Sequence, residues 1–201
     1  MLAGYSFCLE YILNVGRFMQ RASDLINVKV LDLEGGKVIG KVNDIIFSLQ
    51  SGAILGISVK LPFLRRKEYL VRLRQIRSIG QDAVIIFSSD CLIEGKKPKG
   101  ILNKPLMTQT GEFLGRITDL VFSKKERLVL GMEISRGFFD DLNQGRKLWP
   151  LTPEIVVGDV VLVPQNSQPL SPGKLLEQSL RLAPLSNMAE NEWVSFCNRR
   201  D

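Results

Sequence analysis

GKVIGKVNDIIFSLQSGAILGISV, residues 36–59, returns as GEFLGRITDLVFSKKERLVLGMEI, residues 111–134, at an offset of 75 positions and without a gap. Gly36 falls on Gly111, Gly40 on Gly115, Asp44 on Asp119, Phe47 on Phe122, Ser48 on Ser123, Leu55 on Leu130 and Gly56 on Gly131. Between these identities apolar residues mostly meet apolar ones, as Val42 meets Ile117 and Ile46 meets Val121. A period this long lies outside the usual solenoid range of about 20–50 residues and points to two small domains in tandem.

Working outward, the local pattern is β throughout each copy. Val28 to Leu33 alternates apolar and polar residues and Glu34-Gly35-Gly36 turns the chain, which predicts a hairpin. Val38 to Leu49 is long for a strand and carries Gly40 inside it, the mark of a bulge or tight bend. Ile45, Ile46 and Phe47 are consecutive, so both faces of that strand must be covered. Ala53 to Lys60, Glu68 to Leu73 and Ala83 to Phe87 supply further strands. The second copy follows with Asn103 to Thr108, Phe113 to Ser123, Leu128 to Ser135, Lys147 to Leu151 and Val160 to Val163. About five short strands per copy, bent at glycine, predict a small closed or half-closed barrel. The expected domains are an N-terminal extension over 1–21, repeat 1 over 22–92, a polar linker over 93–100, repeat 2 over 101–165 and a mobile tail over 166–201. Residues 1–18 read as a loosely attached extension, with Met19 an alternative start. A membrane-surface helix there is the sharper reading.

The assembled pieces resemble a known family. They are Gly36 to Phe47, Leu55 to Ile57, Val71 to Leu73 and Gly80 to Asp82, and again Gly111 to Phe122, Leu130 to Met132, Trp149 to Leu151 and Gly158-Asp159. This double set resembles the PRC-barrel family. The resemblance implies an all-β protein: two tandem small PRC-type β-barrels with a mostly irregular or partly helical C-terminal tail. It also implies a non-enzymatic binding or assembly module. Family members include the cytoplasmic domain of the photosynthetic reaction-centre H subunit and the C-terminal domain of a ribosome-maturation factor. The chain departs from the first in having no apolar run of the roughly 18 residues that span a membrane. It is expected to depart from the second as well, since no separate N-terminal domain is read ahead of the first repeat.

Composition narrows the chemistry. The 201 residues include no histidine, which removes the commonest general base and histidine-based nucleophile and metal sites. Cys8, Cys91 and Cys197 are scattered and odd in number, so neither a disulfide framework nor a zinc spacing is read, and a reducing compartment such as the bacterial cytoplasm is expected. No phosphate-binding loop is present, and no cofactor, metal or catalytic residue is expected.

Three sets of residues are candidates for function. The net charge of +6 is carried by the stretch 60–77, where Lys60, Arg65, Arg66, Lys67, Arg72, Arg74 and Arg77 face one acid, Glu68. The plainer reading is a solvated loop and strand face. The sharper one is an anionic partner: RNA, the ribosome, an acidic protein or a lipid surface peripheral to a membrane. The counterpart loop of repeat 2 holds Phe138, Phe139, Asp140 and Asp141, a candidate protein interface. One loop is basic and the other acidic and aromatic, so head-to-tail self-association through them is an alternative to a separate protein partner. Asp44 and Asp119 sit mid-strand and are expected to accept hydrogen bonds from backbone amides at the bend after Gly40 or Gly115, a ligand or proton-handling role being the alternative. Gly36, Gly40, Phe47, Gly56, Gly111, Gly115, Phe122 and Gly131 are expected to build the barrels.

Overall fold

The computed structural model describes residues 19–62, 67–98, 100–137 and 146–182. Fourteen strands account for nearly half of them: β1 Met19–Arg21, β2 Lys29–Asp32, β3 Val38–Phe47, β4 Ile54–Lys60, β5 Tyr69–Arg72, β6 Ile76–Ile79, β7 Ala83–Ile86, β8 Ile93–Glu94, β9 Pro105–Thr108, β10 Phe113–Ser123, β11 Leu128–Ser135, β12 Lys147–Pro150, β13 Val156–Val157 and β14 Val161–Val163. A one-turn helix α1, Ala22–Leu25, precedes β2, and helix α2, Pro172–Leu182, follows β14.

The repeats share one topology. In the first sheet the order is β6-β7-β2-β3-β4-β5-β8, and in the second β13-β14-β9-β10-β11-β12. All neighbours are antiparallel except β2 with β7 and, at the matching place, β9 with β14. Neither pairing path returns to its start among the described residues, so the ring of hydrogen bonds is open rather than closed. The chain is nonetheless all-β, as the sequence predicts.

The repeated glycines show why the long strands bend. The β2–β3 and β9–β10 ladders both shift register beside Gly40 and Gly115. A Cβ on Gly115 would lie 2.6 Å from the carbonyl oxygen of Ser135, and Gly115 has φ +141. A Cβ on Gly40 would collide with the carbonyl oxygen of Lys60, the residue equivalent to Ser135. At both places the next strand's backbone crosses where a side chain would stand, so only glycine fits.

β4 and β11 are buried along nearly their whole length on both faces, which is why they read as continuous apolar runs. Behind the first sheet, Ile93 of β8 packs on the cluster of Ile46, Leu55 and Leu70. Behind the second lies α2, with Leu175 and Leu176 buried and the Ser179 hydroxyl donating to the Leu130 carbonyl at 3.3 Å. The Leu170 amide donates to the Leu148 carbonyl. Residues 172–182, expected as part of a mobile tail, are therefore docked. The apolar face of α2 covers what the two-sided burial of β11 leaves open.

The end of the expected N-terminal extension is also structured. Met19, Gln20 and Arg21 pair with Ser123, Phe122 and Val121 as strand β1. β10 has eleven residues and β9 only four, so the far half of β10 has unpaired amides and carbonyls that β1 satisfies. The chain divides into two compact units. One comprises Ala22–Ser48 and Ala53–Gly100, and the other comprises Met19–Arg21, Leu49–Gly52 and the chain from Ile101.

Candidate functional site

The twin aspartates follow bulges. Register shifts between Val42 and Asp44 and between Ile117 and Asp119 leave one extra residue in each long strand. Asp44 Oδ1 accepts from the Ile45 amide at 2.9 Å, and Asp119 Oδ1 from the Leu120 amide at 2.8 Å. The donor is the amide next in sequence rather than one at the bend that directly follows Gly40 or Gly115. Past this shared bond the sites diverge. Asp44 Oδ2 pairs with Lys97 Nζ at 2.6 Å, and the Lys97 amide donates to Glu68 Oε2.

Asp119 lies opposite Glu133, an acid that sequence reasoning passed over. Glu133 is 2% exposed and is gripped by two arginines: Arg21 Nε on Oε2 at 2.8 Å and Arg146 Nη1 on Oε1 at 2.6 Å. Burying a carboxylate is costly unless it is paired, and both oxygens are. The equivalent residue in repeat 1 is Ser58, equally buried, whose hydroxyl accepts from Asn43 Nδ2 at 3.0 Å. A lone acid inside LVLGMEIS was the available signal. Its partners were not readable, because Arg21 and Arg146 reach it from distant parts of the chain.

The described cations of 60–77 are spread along the β4–β5 hairpin and onto β6. Lys60 ends β4 near the start of β5, where Lys67 pairs with Glu94 at 2.9 Å. Glu94 holds the Lys67 ammonium above the usual lysine value through its hydrogen bond and charge. Arg72 stands at the far end of β5 opposite Gly56, Arg74 lies in the 3-10 turn after it, and Arg77 is the extra residue in the register shift of β6. Arg65 and Arg66 lie outside the described residues, as do Phe138, Phe139, Asp140 and Asp141. Among the described residues no group of three or more Asp, Glu or Cys side chains is placed to hold a metal ion, and no helix is long and apolar enough to cross a membrane.

What the structure does gather is an apolar surface. Five large hydrophobics among the described residues are 40–56% exposed: Leu33, Val38, Phe87, Phe113 and Val156. In the first sheet Val38 pairs with Leu31, Leu31 with Ile85, and Ile85 with Ser78, one rung across β3-β2-β7-β6. Leu33 and Phe87 continue the same strands just beyond it. In the second sheet Phe113 pairs with Met107, Met107 with Leu162, and Leu162 with Val156, the same rung across β10-β9-β14-β13. Val30, Val84, Leu106 and Val161, the alternate residues of these strands, are fully buried, so the rungs lie on the outward faces.

The two open sheets share a six-strand order, and each is bent at a Gly-x-x-x-Asp strand. The PRC-barrel domain model matches residues 19–90 and again residues 99–167. The chain belongs to the PRC-barrel family. It is also similar to a Bacillus subtilis (strain 168) protein named Uncharacterized protein YrrD, with 30% identity over 109 residues, 52% of this chain. The match spans 63% of that relative's length. Each PRC barrel of this chain thus carries an outward apolar rung at the same place in its sheet.

Proposed function

We propose that this tandem PRC-barrel protein is a non-enzymatic adaptor that engages a macromolecular partner through the outward faces of β3-β2-β7 and β10-β9-β14-β13. One observation carries the reading: the five strongly exposed large hydrophobics all belong to these two faces and to no other surface among the described residues. Scattered single hydrophobics are ordinary on a protein surface, whereas a contiguous row marks a binding site. Membership of the PRC-barrel family agrees with a binding role. The cationic stretch 60–77 supports an RNA, ribosome or lipid reading less well, because its described members are spread over both ends of the β4–β5 hairpin and onto β6, and Lys67 is already paired.

Partner capture by the full chain tests this. Proteins retained by wild type are compared with those retained by Leu33→Ser/Phe87→Ser and by Phe113→Ser/Val156→Ser. Loss of a retained protein with either pair, at an unchanged melting temperature, is the expected result. Equal recovery by all three would show that these faces are not the binding surface.

A further inference from the structure

The two faces are not copies of one another in charge, and the difference is directional. Lys37 immediately precedes Val38, whereas Glu112 immediately precedes Phe113 at the equivalent position. Arg77 stands beside Ser78 at the end of the first rung, whereas Glu154 lies two residues before Val156 at the end of the second. All four are exposed. Lys29 and Lys41 pair across β2 and β3 on the first outward face, where the second has Pro105 opposite Arg116. Glu34 beside Leu33, Asp82 beside Ala83 and Arg116 itself run against the trend. Arg116 is engaged through Nη1 with the Asn103 carbonyl. Beside the exposed apolar residues, then, the first face presents mainly cations and the second has anions at both ends.

Resting on the reading that these faces are the binding surface, we propose that the occupant of each is the other face on a second copy of this chain. The repeat-1 face of one molecule seats on the repeat-2 face of the next. Contact between two repeat-1 faces would set Lys37 and Arg77 against their own kind, and contact between two repeat-2 faces would do the same with Glu112 and Glu154. Only the mixed pairing brings apolar rung to apolar rung and cation to anion. Like-charge juxtaposition opposes the homotypic pairings, and complementary charge fixes the register of the mixed one. Such a contact is heterologous, so each copy keeps one face free, and assembly proceeds to a ring or an open chain.

A mixing experiment on the full chain decides the matter. Leu33→Ser/Phe87→Ser retains only the repeat-2 face, and Phe113→Ser/Val156→Ser only the repeat-1 face. Sedimentation velocity is expected to show concentration-dependent growth for wild type, a monomer for each variant alone, and a dimer that grows no further for their equimolar mixture. Lys37→Glu is expected to weaken assembly about tenfold or more, and Lys37→Glu/Glu112→Lys to restore it. All of these positions are exposed, so the melting temperature serves as the check on folding. A monomeric mixture overturns the proposal, as does a variant that dimerises alone or a wild type that stays monomeric at high concentration and low salt. If wild type is monomeric but the same variants lose a captured protein, the adaptor reading stands and the partner is a different chain. If neither assembly nor capture responds, both readings fail.

Discussion

Glu133 is a carboxylate inside an apolar strand, held at both oxygens by arginines whose side chains are about half exposed. The cost of losing the pair therefore depends on which partner is removed. Without Glu133 the arginines, about half exposed, keep access to water. Without Arg21 and Arg146 the acid stays buried and poorly paired. Arg21→Ala/Arg146→Ala is expected to destabilise by about 1–3 kcal/mol, reduced from the fully buried case by solvent screening of the guanidinium groups. Glu133→Met should cost less, and urea denaturation of both orders them. Asp32 gives a pH signature. Burial works to raise its carboxyl, but the amides of Gly35 and Glu34 and the amide and hydroxyl of Ser89 outweigh it and hold the pKa below 3.8. A carboxyl depressed on folding contributes stability above its unfolded value and loses that contribution as pH falls through its folded value. Between pH 5 and about 2 the melting temperature of wild type should fall more steeply than that of Asp32→Asn. Equal slopes would mean that another carboxyl governs the acid limb.

At the scale of elements, β10 shows what a strand's own residues decide and what they do not. Gly115→Ala must place a Cβ against the Ser135 carbonyl at φ +141, and is expected to cost about 1–3 kcal/mol in thermal unfolding. Gly40→Ala should act in the same direction. Helix α2 stands on Leu175, fully buried against the second sheet. Leu175→Ala is expected to free the helix, seen as faster amide exchange over 172–182 while β10 and β11 keep their protection. The bends, the turns and the two-sided burial of Ile45 and Ile46 were legible because each depends on residues a few positions apart. The docking of α2 and the pairing of β1 were not, since each answers a vacancy left by strands far away in sequence. The apolar rungs were hidden for a different reason. Bulges and unequal loops change the offset from strand to strand: Val38 matches Phe113 at 75, Leu31 matches Met107 at 76 and Ile85 matches Leu162 at 77. A single gap-free alignment cannot bring them into line; the hydrogen-bond register can. The aspartates stood out in the repeat as expected acceptors of backbone amides, but the bulge before each, the Ile45 and Leu120 donors, the salt bridge from Lys97 and the acid opposite Asp119 needed the fold.

For the whole molecule, duplication has preserved the backbone and relaxed the edges. Strand order, parallel pairs and glycine bends agree between the repeats. Ser58 against Glu133, Lys37 against Glu112 and the strand β8 against the helix α2 do not. If assembly follows the mixed pairing, raising salt from about 0.05 to 0.5 M should screen Lys37 from Glu112 and shift wild type toward smaller species in sedimentation. Unchanged size would mean that the apolar rungs alone hold the contact. The early strand β1 has a mechanical consequence. It precedes the first repeat in the chain but is hydrogen-bonded into the sheet of the second. Tension applied between residue 19 and residue 182 would therefore pass through the β1–β10 ladder. The whole first repeat would hang in an unloaded loop. A single-molecule pulling trace should show rupture of β1, which the Arg21–Glu133 pair reinforces, before any extension belonging to the first repeat is released.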